Sequence, residues 1–442
     1  MLFDDDDDGD DEGGVDGAMD EASPRRKPAG PAAALPSVIY GRQVDPRPRR
    51  RGMPSARHRG EQRSLEAMRE HEAPGVATAT GPVMAVAVSD CGALLAASTG
   101  DHVVRLYDHG TERLLREYRG HPRTPWALAF VAARGARPLL LASACLGGEV
   151  RLWHPQREAA FCVLLCRDDH DAAISVTSLS LHPRQDFLCY NRQHQVAIWD
   201  FGATLRALDA AGSEQRRQPG WPLPLSEQAA GVTCHSLETV DSKTPMVHLA
   251  RWYPDGKRVL TGQRQTTPSA MPSSVVTQVL RTWTVLLRPA PAFAPAPTLE
   301  VEHVVAYTDR SVGLSSCGNY IAAYVHKRGL CVLSARKQDA GAVLHSVQLE
   351  SQHALGAVTC VDISPSAAFV LVGFDWTDVE AVSASAEPRV ALAVHRASGS
   401  MDCVNRVLSP SAHLNAALVH PTAGECCVYG TREGRCVTLR SV

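Results

Sequence analysis

The sequence predicts an all-β fold: a single seven-bladed β-propeller behind a disordered N-terminal tail and a short amphipathic helix. Three observations lead there. From residue 76 onward, short apolar and β-branched runs alternate with turns, and no stretch sustains the 3.6-residue period of a long helix. A four-residue turn signature recurs as SDCG (89–92), AARG (132–135), HPRQ (182–185), YPDG (253–256), SSCG (315–318), SPSA (364–367) and HPTA (420–423). An apolar strand precedes each signature and a small or apolar strand follows it, so each marks the same place in a repeated unit. An open sheet of so many short strands would expose its edges, whereas closing the repeats radially protects them.

The tail reads differently from the body. Net charge is −2 over 442 residues, but the first 21 residues hold 11 acids and no base, and residues 25–63 hold 11 Lys or Arg against Asp45 and Glu61. Residues 1–59, an acidic and then Arg-rich leader, have too few large apolar side chains to offset the entropy of ordering, so disorder is expected. The stretch RPRRRGMPSARHR (47–59) is a basic cluster of the kind nuclear import or nucleic acid uses. No aromatic interleaves with its arginines, so a solvated leader is the simpler reading and nucleic acid is not the expected partner. In GEQRSLEAMREHEA (60–73), Leu65 and Met68 stand at i, i+3 among charged residues, and Pro74-Gly75 follows. The spacing predicts a docking helix over 60–75. Such a helix is marginal alone, so it needs a surface, either this chain's own body or a partner's.

The propeller is expected over 76–442. Its last repeat supplies three strands, near Leu414–His420, Glu425–Tyr429 and Arg435–Leu439, and lacks a fourth. Val76–Thr80 (VATAT) has the β-branched alternation to fill that slot as the outer strand of the last blade, closing the ring. Insertions are expected at 205–244, polar and Pro-rich between the third and fourth repeats, at 264–276, and at 288–298, an Ala/Pro connector.

No catalytic constellation is present: there is no Gly-rich phosphate loop, G-x-S-x-G elbow, H-E-x-x-H or CxxC, and the 18 His do not group at metal spacing. No cofactor, metal or enzymatic activity is therefore expected. His170 in RDDHD (167–171) is read as part of a solvated inter-blade turn, and Cys360 in AVTCVDIS as core. No apolar run approaches the roughly 18 residues of a membrane-crossing helix. The 13 cysteines lack a pairing framework and no N-glycosylation sequon occurs, which points to a reducing setting, cytoplasmic and also nuclear. Only five of the 45 basic residues are Lys, a bias that a GC-rich genome explains more simply than selection against ubiquitin acceptors.

DHVVRLYD (101–108), GGEVRLWHP (147–155) and HQVAIWD (194–200) resemble WD40 third strands, and Gly120-His121 resembles the dipeptide that opens a WD40 repeat. The resemblance implies a buried His–Ser/Thr–Trp–Asp network in each well-formed blade. Here it is degenerate. His121, Ser143 and Trp153 match in the second repeat, but Gly147 stands where Asp belongs; Asp101 is kept in the first, with Tyr107 for Trp; Gln193 replaces Asp in the third.

A narrower likeness centres on GHPRTPWALAF (120–130) and ASACLGGEVRLW (142–153), which resemble the activating-molecule-in-Beclin-regulated-autophagy family. Its signature falls on Gly120, His121, Arg123, Thr124, Pro125, Trp126, Glu149, Arg151 and Trp153. SVIYGR (37–42), SSCGNYIAAYV (315–325), DISPSAAFVLVGF (362–374) and VYGTREGR (428–435) extend the likeness in order. It implies a non-catalytic substrate receptor of a cullin-4 ubiquitin ligase, docked on the damaged-DNA-binding-protein adaptor, holding protein substrates and connected to autophagy-initiation proteins. Such a chain works as a monomer within a hetero-complex. Ile39, Tyr40 and Arg42, with Leu65, Met68 and Arg69 of the helix, would be the adaptor-binding residues. Trp126 reads equally as a partner contact or as packing. Two departures stand out: Trp199-Asp200 is followed by Phe201-Gly202 rather than completing Trp-Asp-x-Arg, and the 205–244 insertion is far shorter than the family's long region, so partner motifs housed there do not carry over.

Overall fold

Short alternating strands between tight turns pair with their neighbours in sequence, and the computed structural model shows what that pairing builds. It describes residues 61, 63–65, 68–70, 81–133, 138–210, 224–237, 246–265, 276–349, 357–375, 389–409, 414–421 and 425–441, all within the unit Arg49–Val442. The 1–59 leader, with Ile39, Tyr40 and Arg42, lies outside the described residues, as does Val76–Thr80.

The described strands make seven antiparallel four-stranded blades. Blade 1 is Val83–Val88, Leu94–Thr99, Val104–Asp108 and Leu114–Tyr118. Blade 2 is Pro125–Val131, Leu140–Cys145, Glu149–Trp153 and Ala160–Leu165. Blade 3 is Leu179–Leu181, Phe187–Arg192, Gln195–Asp200 and Thr233–Ser236. Blade 4 is Val247–Trp252, Arg258–Arg264, Thr277–Leu286 and Leu299–Val305. Blade 5 is Val312–Leu314, Tyr320–Val325, Gly329–Ser334 and Val343–Val347. Blade 6 is Ala357–Ile363, Phe369–Asp375, Arg389–Arg396 and Cys403–Ser409. Blade 7 takes Leu414–Val419, Glu425–Thr431 and Cys436–Ser441 from the end of the chain and Met68–Glu70 from its beginning.

Seven buried apolar clusters fill the seams, each drawing on two consecutive blades; one joins blade 1 to blade 2 through Leu106, Tyr118, Leu141 and Trp153, and another joins blade 7 back to blade 1 through Val83, Leu95, Leu418 and Val428. The ring is therefore held by inter-blade burial all the way round. Every turn signature falls between the first and second strands of its blade. In blades 1, 3, 4, 5 and 6 the same backbone bond closes it, from the N–H of Ser89, His182, Tyr253, Ser315 and Ser364 to the carbonyl five residues on, at 2.8–3.0 Å.

Closure by an N-terminal strand holds, but with a different strand from the one the alternation singled out. Met68–Glu70 pairs antiparallel with the last strand, Met68 opposite Ser441, Arg69 opposite Arg440 and Glu70 opposite Leu439. The docking helix over 60–75 is corrected with it. Only residues 61 and 63–65 are helical among those described, and the Met68 end has become strand. The free edge of the last blade offers backbone partners to this segment, and those outweigh the propensity of a short helix.

The 205–244 insertion is more than a polar loop. Asp200 Oδ1 accepts the Ala203 N–H at 2.9 Å and so caps the helix Phe201–Ala210. Beyond it, Leu225–Ser226 pairs parallel with the outer strand of blade 2, and Thr233–Ser236 is the outer strand of blade 3. The 264–276 insertion joins the second and third strands of blade 4, and Ala292–Phe293 within 288–298 pairs back onto Thr277–Leu286.

Candidate functional site

The signature residues converge on one corner of blade 2. Ser143, on the second strand, sits opposite Arg151 on the third, with Trp153 two residues further. Trp153 donates its indole N–H to Ser143 Oγ at 2.7 Å, and His121 Nε2 meets the same oxygen at 2.7 Å. All three are buried, and Tyr118 stacks on Trp153 with ring centroids 4.9 Å apart. Burial, with Arg151 and His102 nearby, pushes His121 down to about 3, so its ring is neutral near pH 7. Arg151 reaches Glu149 at 2.7 Å and lies against Gly120, where a Cβ would stand 2.6 Å from its Nη1. That contact, with a φ of 122°, explains the glycine.

The missing aspartate has a steric reason. A Cβ at Gly147 would stand 2.6 Å from Pro122 Cγ, so no side chain fits there. In its absence His121 Nδ1 has no hydrogen-bond partner. Burial holds the Cys145 thiol above its ordinary value, with the nearby backbone N–H groups of Glu149 and Gly147 pulling the other way. Among the described residues one group of metal-type ligands comes together, His121, Cys145 and Glu149, all buried and with ligand atoms within 4.8 Å of one another. Spacing along the chain did not reveal it, because the three residues come from a loop, the end of one strand and the start of the next.

Of the remaining signature residues, Arg123 is exposed, Thr124 and Trp126 are partly exposed, and Pro125 is buried. Thr124 holds the neighbouring turn through its carbonyl, which accepts the Leu146 N–H at 3.2 Å. Trp126 lies on the first strand of its blade, partly packed and partly open. His170 is exposed in a turn where Asp168 Oδ1 accepts the His170 and Ala172 N–H groups, each at 2.9 Å, and Cys360 is buried in the core, as the sequence suggested.

Of the predicted adaptor-binding residues, Ile39, Tyr40 and Arg42 lie outside the described residues, and Leu65 is buried. Leu65 is 1% exposed and packs in the cluster between blades 6 and 7 with Phe369, Leu371, Leu392 and Leu439. Asn405 Nδ2 donates to its carbonyl at 2.9 Å, and Glu61 Oε1 accepts the Ser366 N–H at 3.2 Å. Leu65 is thus a structural wedge rather than a partner-facing anchor. Met68 and Arg69 belong to the edge strand of blade 7.

Two features escaped the sequence reading. Blade 4 carries its own Ser/Thr–Trp pair, with Trp283 Nε1 donating to Thr261 Oγ1 at 2.9 Å in the register of Trp153 and Ser143. Its 22-residue separation, against ten in blade 2, hid it. The other is a charged cluster at the ring's centre. Arg251 donates to the carbonyls of Asp309 (2.7 Å) and Val312 (2.8 Å). Arg310 Nη2 donates to Val86 and Leu128 on the first strands of blades 1 and 2, at 3.2 Å each. Asp362 takes the N–H groups of Ile363 and Val419 at 2.9 Å each. Burial lifts the Asp309 and Asp362 carboxyls above their ordinary value, while both arginines pull the other way. Arg251, Arg310 and Asp362 bind backbone groups and the Asp309 carboxyl meets the Ser178 hydroxyl, an arrangement that locks the centre of the ring.

Comparison with known proteins agrees with this architecture. The "WD domain, G-beta repeat" family matches residues 74–108, which include the first three strands of blade 1. The chain is 31% identical over 110 residues to activating molecule in BECN1-regulated autophagy protein 1B of Danio rerio, and 29% identical over 110 residues to protein 1A of the same fish. Each alignment covers 24% of this chain, and only 7% and 8% of those much longer relatives. The β-propeller domain of Myceliophteria thermophila Cps50 (Swd1) superposes over 83% of this chain and 99% of that one, with a TM-score of 0.57 and 16% identity, a likeness of fold. No helix among the described residues is long and apolar enough to cross a membrane. The described residues fold as a seven-bladed β-propeller whose first blade matches the WD domain, G-beta repeat model.

Proposed function

We propose that this propeller is a non-catalytic substrate receptor of a cullin-4 ubiquitin ligase, docked through the damaged-DNA-binding-protein adaptor and acting in the control of autophagy. The observation that carries the reading is the ordered GHPRTPW corner of blade 2. It presents Arg123 and Thr124 to solvent from a rigid base of Ser143, His121 and Trp153. The partial likeness to two autophagy proteins supports the same direction. Because Leu65 is wedged between blades 6 and 7, the adaptor would meet the N-terminal segment as an ordered edge of blade 7, not as a helix laid in a groove. The receptor would act in the cytoplasm and the nucleus.

Affinity purification of the full chain with mass spectrometry tests this reading. The adaptor and cullin-4 are expected with the wild-type chain, and Arg123→Glu with Thr124→Ala is expected to lower their recovery at unchanged melting temperature. Recovery of other partners with no cullin component would sink the ligase reading and leave the second one, a WD40 scaffold in an unrelated assembly.

A further inference from the structure

The corner left open by Gly147 has the composition of a metal site. We propose that His121 Nδ1, Cys145 Sγ and a carboxylate oxygen of Glu149 bind a thiophilic divalent cation, Zn²⁺ by preference, with water in the fourth position. A ring nitrogen of His121, Cys145 Sγ and a carboxylate oxygen of Glu149 already lie within 4.8 Å of one another, and tetrahedral zinc would draw the ligands closer by about 1 Å. His121 is 5% exposed, its Nε2 is taken by Ser143, and its Nδ1 has no partner. A buried ring nitrogen in that state needs either a hydrogen bond or an ion. Arg151 holds Glu149 Oε2 at 2.7 Å and so orients the carboxylate, leaving its other oxygen for the ion.

Comparison of blades within the chain shows what the ion replaces. Cys145 occupies the register of Thr99 in blade 1 and Gln263 in blade 4. In blade 1, Thr99 Oγ1 donates to the Asp101 carboxylate, which also takes Arg105 Nη2 at 2.6 Å. Blade 2 lacks that carboxylate, and Glu149, two residues past Gly147, brings one in from the strand side. Zinc, a thiol and a carboxylate would together fill the corner that one aspartate fills in blade 1. Binding releases the Cys145 thiol proton to solvent and leaves a site whose ligands cancel the ion's charge.

The test is titration of the full chain, reduced and stripped with chelator, first with Co²⁺ and then with Zn²⁺. A thiolate-to-cobalt charge-transfer band that saturates at one equivalent and is bleached by Zn²⁺ is expected, together with a rise in melting temperature on adding Zn²⁺. C145S should lose the band yet fold, since hydrogen-bonding side chains stand at the equivalent position in blades 1 and 4. E149Q should keep the band but bind at least about tenfold more weakly. Replacing the exposed Cys91, Cys234 and Cys317 together should leave the titration unchanged. No cobalt band at saturating metal, or a band of wild-type strength in C145S, overturns the proposal. Should C145S fail to fold, wild-type affinity in E149Q overturns it instead.

Discussion

Asn405 of blade 6 donates its side-chain amide to the backbone carbonyl of Leu65 at 2.9 Å, tying the start of the fold to a blade formed more than 300 residues later. Leu65 itself fills the seam between blades 6 and 7. It lies three residues before the strand that closes the ring, so wedge and closure act together. Leu65→Ala is expected to cost about 2–4 kcal/mol, and Leu65→Asp more, because it buries an unpaired charge. Leu408→Ala, at a site 49% exposed, should change stability by less than about 0.5 kcal/mol. Urea denaturation of the three variants checks this, and equal midpoints for Leu65→Ala and Leu408→Ala would show that the wedge does not matter.

Ser143 serves two buried partners, His121 and Trp153, whereas Thr261 serves Trp283 and donates to the Arg281 carbonyl at 3.4 Å. Removing a shared hydroxyl strands every group that depends on it, at about 1–3 kcal/mol each. Ser143→Ala is therefore expected to cost about 2–5 kcal/mol, more than Thr261→Ala. The two variants compared by thermal unfolding decide it, and the reverse order would mean that His121 finds another partner.

What was legible follows from locality. The turn signatures and third strands are short-range patterns, and the five signatures described in full, in blades 1, 3, 4, 5 and 6, fall between the first and second strands as the sequence placed them. The need for a closing strand was legible too, because the last repeat visibly lacks one. Its position was not. Met68–Glu70 carries no β-branched alternation and sits in a stretch whose Leu65/Met68 spacing is helical, so only the free edge of Cys436–Ser441, far away in the chain, makes it a strand. The central Arg251, Asp309, Arg310 and Asp362 come from three blades, and the His121–Cys145–Glu149 corner from three segments, so no local pattern announces either.

Acid should loosen the ring. His109 packs against His420 across the seam between blades 1 and 7, with ring centroids 4.5 Å apart. Burial first, then His420 and Arg440, push it down to about 4, with Asp108 pulling weakly the other way. A histidine held below its unfolded value of about 6.5 binds a proton more readily when unfolded, so stability present above that pH is lost as pH falls toward the folded value. Each pH unit below about 6.5 costs roughly 1.4 kcal/mol per such histidine, and His121 adds in the same sense. Melting temperature should drop between pH 7.5 and pH 5, and drop less in His109→Gln. A parallel drop in both proteins would acquit His109.

Ala367 occupies the turn position that Gly92, Gly256 and Gly318 fill in blades 1, 4 and 5, and all four are left-handed, Ala367 with a φ of 60°. A Cβ in that region costs about 1–2 kcal/mol, partly offset by the greater freedom of glycine when unfolded. Ala367→Gly is expected to stabilise the protein by up to about 1 kcal/mol, an unusual sign for a substitution to glycine. A lowered urea midpoint would show that the alanine methyl packs well enough to outweigh its strain.

Arg310 is the side chain that crosses the centre. From the loop opening blade 5 it donates to Val86 and Leu128, 224 and 182 residues away, and so ties blade 5 to blades 1 and 2 independently of the seams. Charge-assisted bonds to carbonyls contribute about 1.5–3 kcal/mol, less where water reaches the pair, and Arg310 is partly exposed. Arg310→Ala is expected to cost about 2 kcal/mol. Arg310→Lys should fall between Ala and wild type, because an ammonium lacks the planar fork. The loss should come with earlier hydrogen exchange at the first strands of blades 1 and 2, whose carbonyls it caps, while the blade 6–7 seam around Leu65 keeps its protection. Uniform deprotection of all blades would mean that Arg310 contributes only general stability and no bracing across the ring.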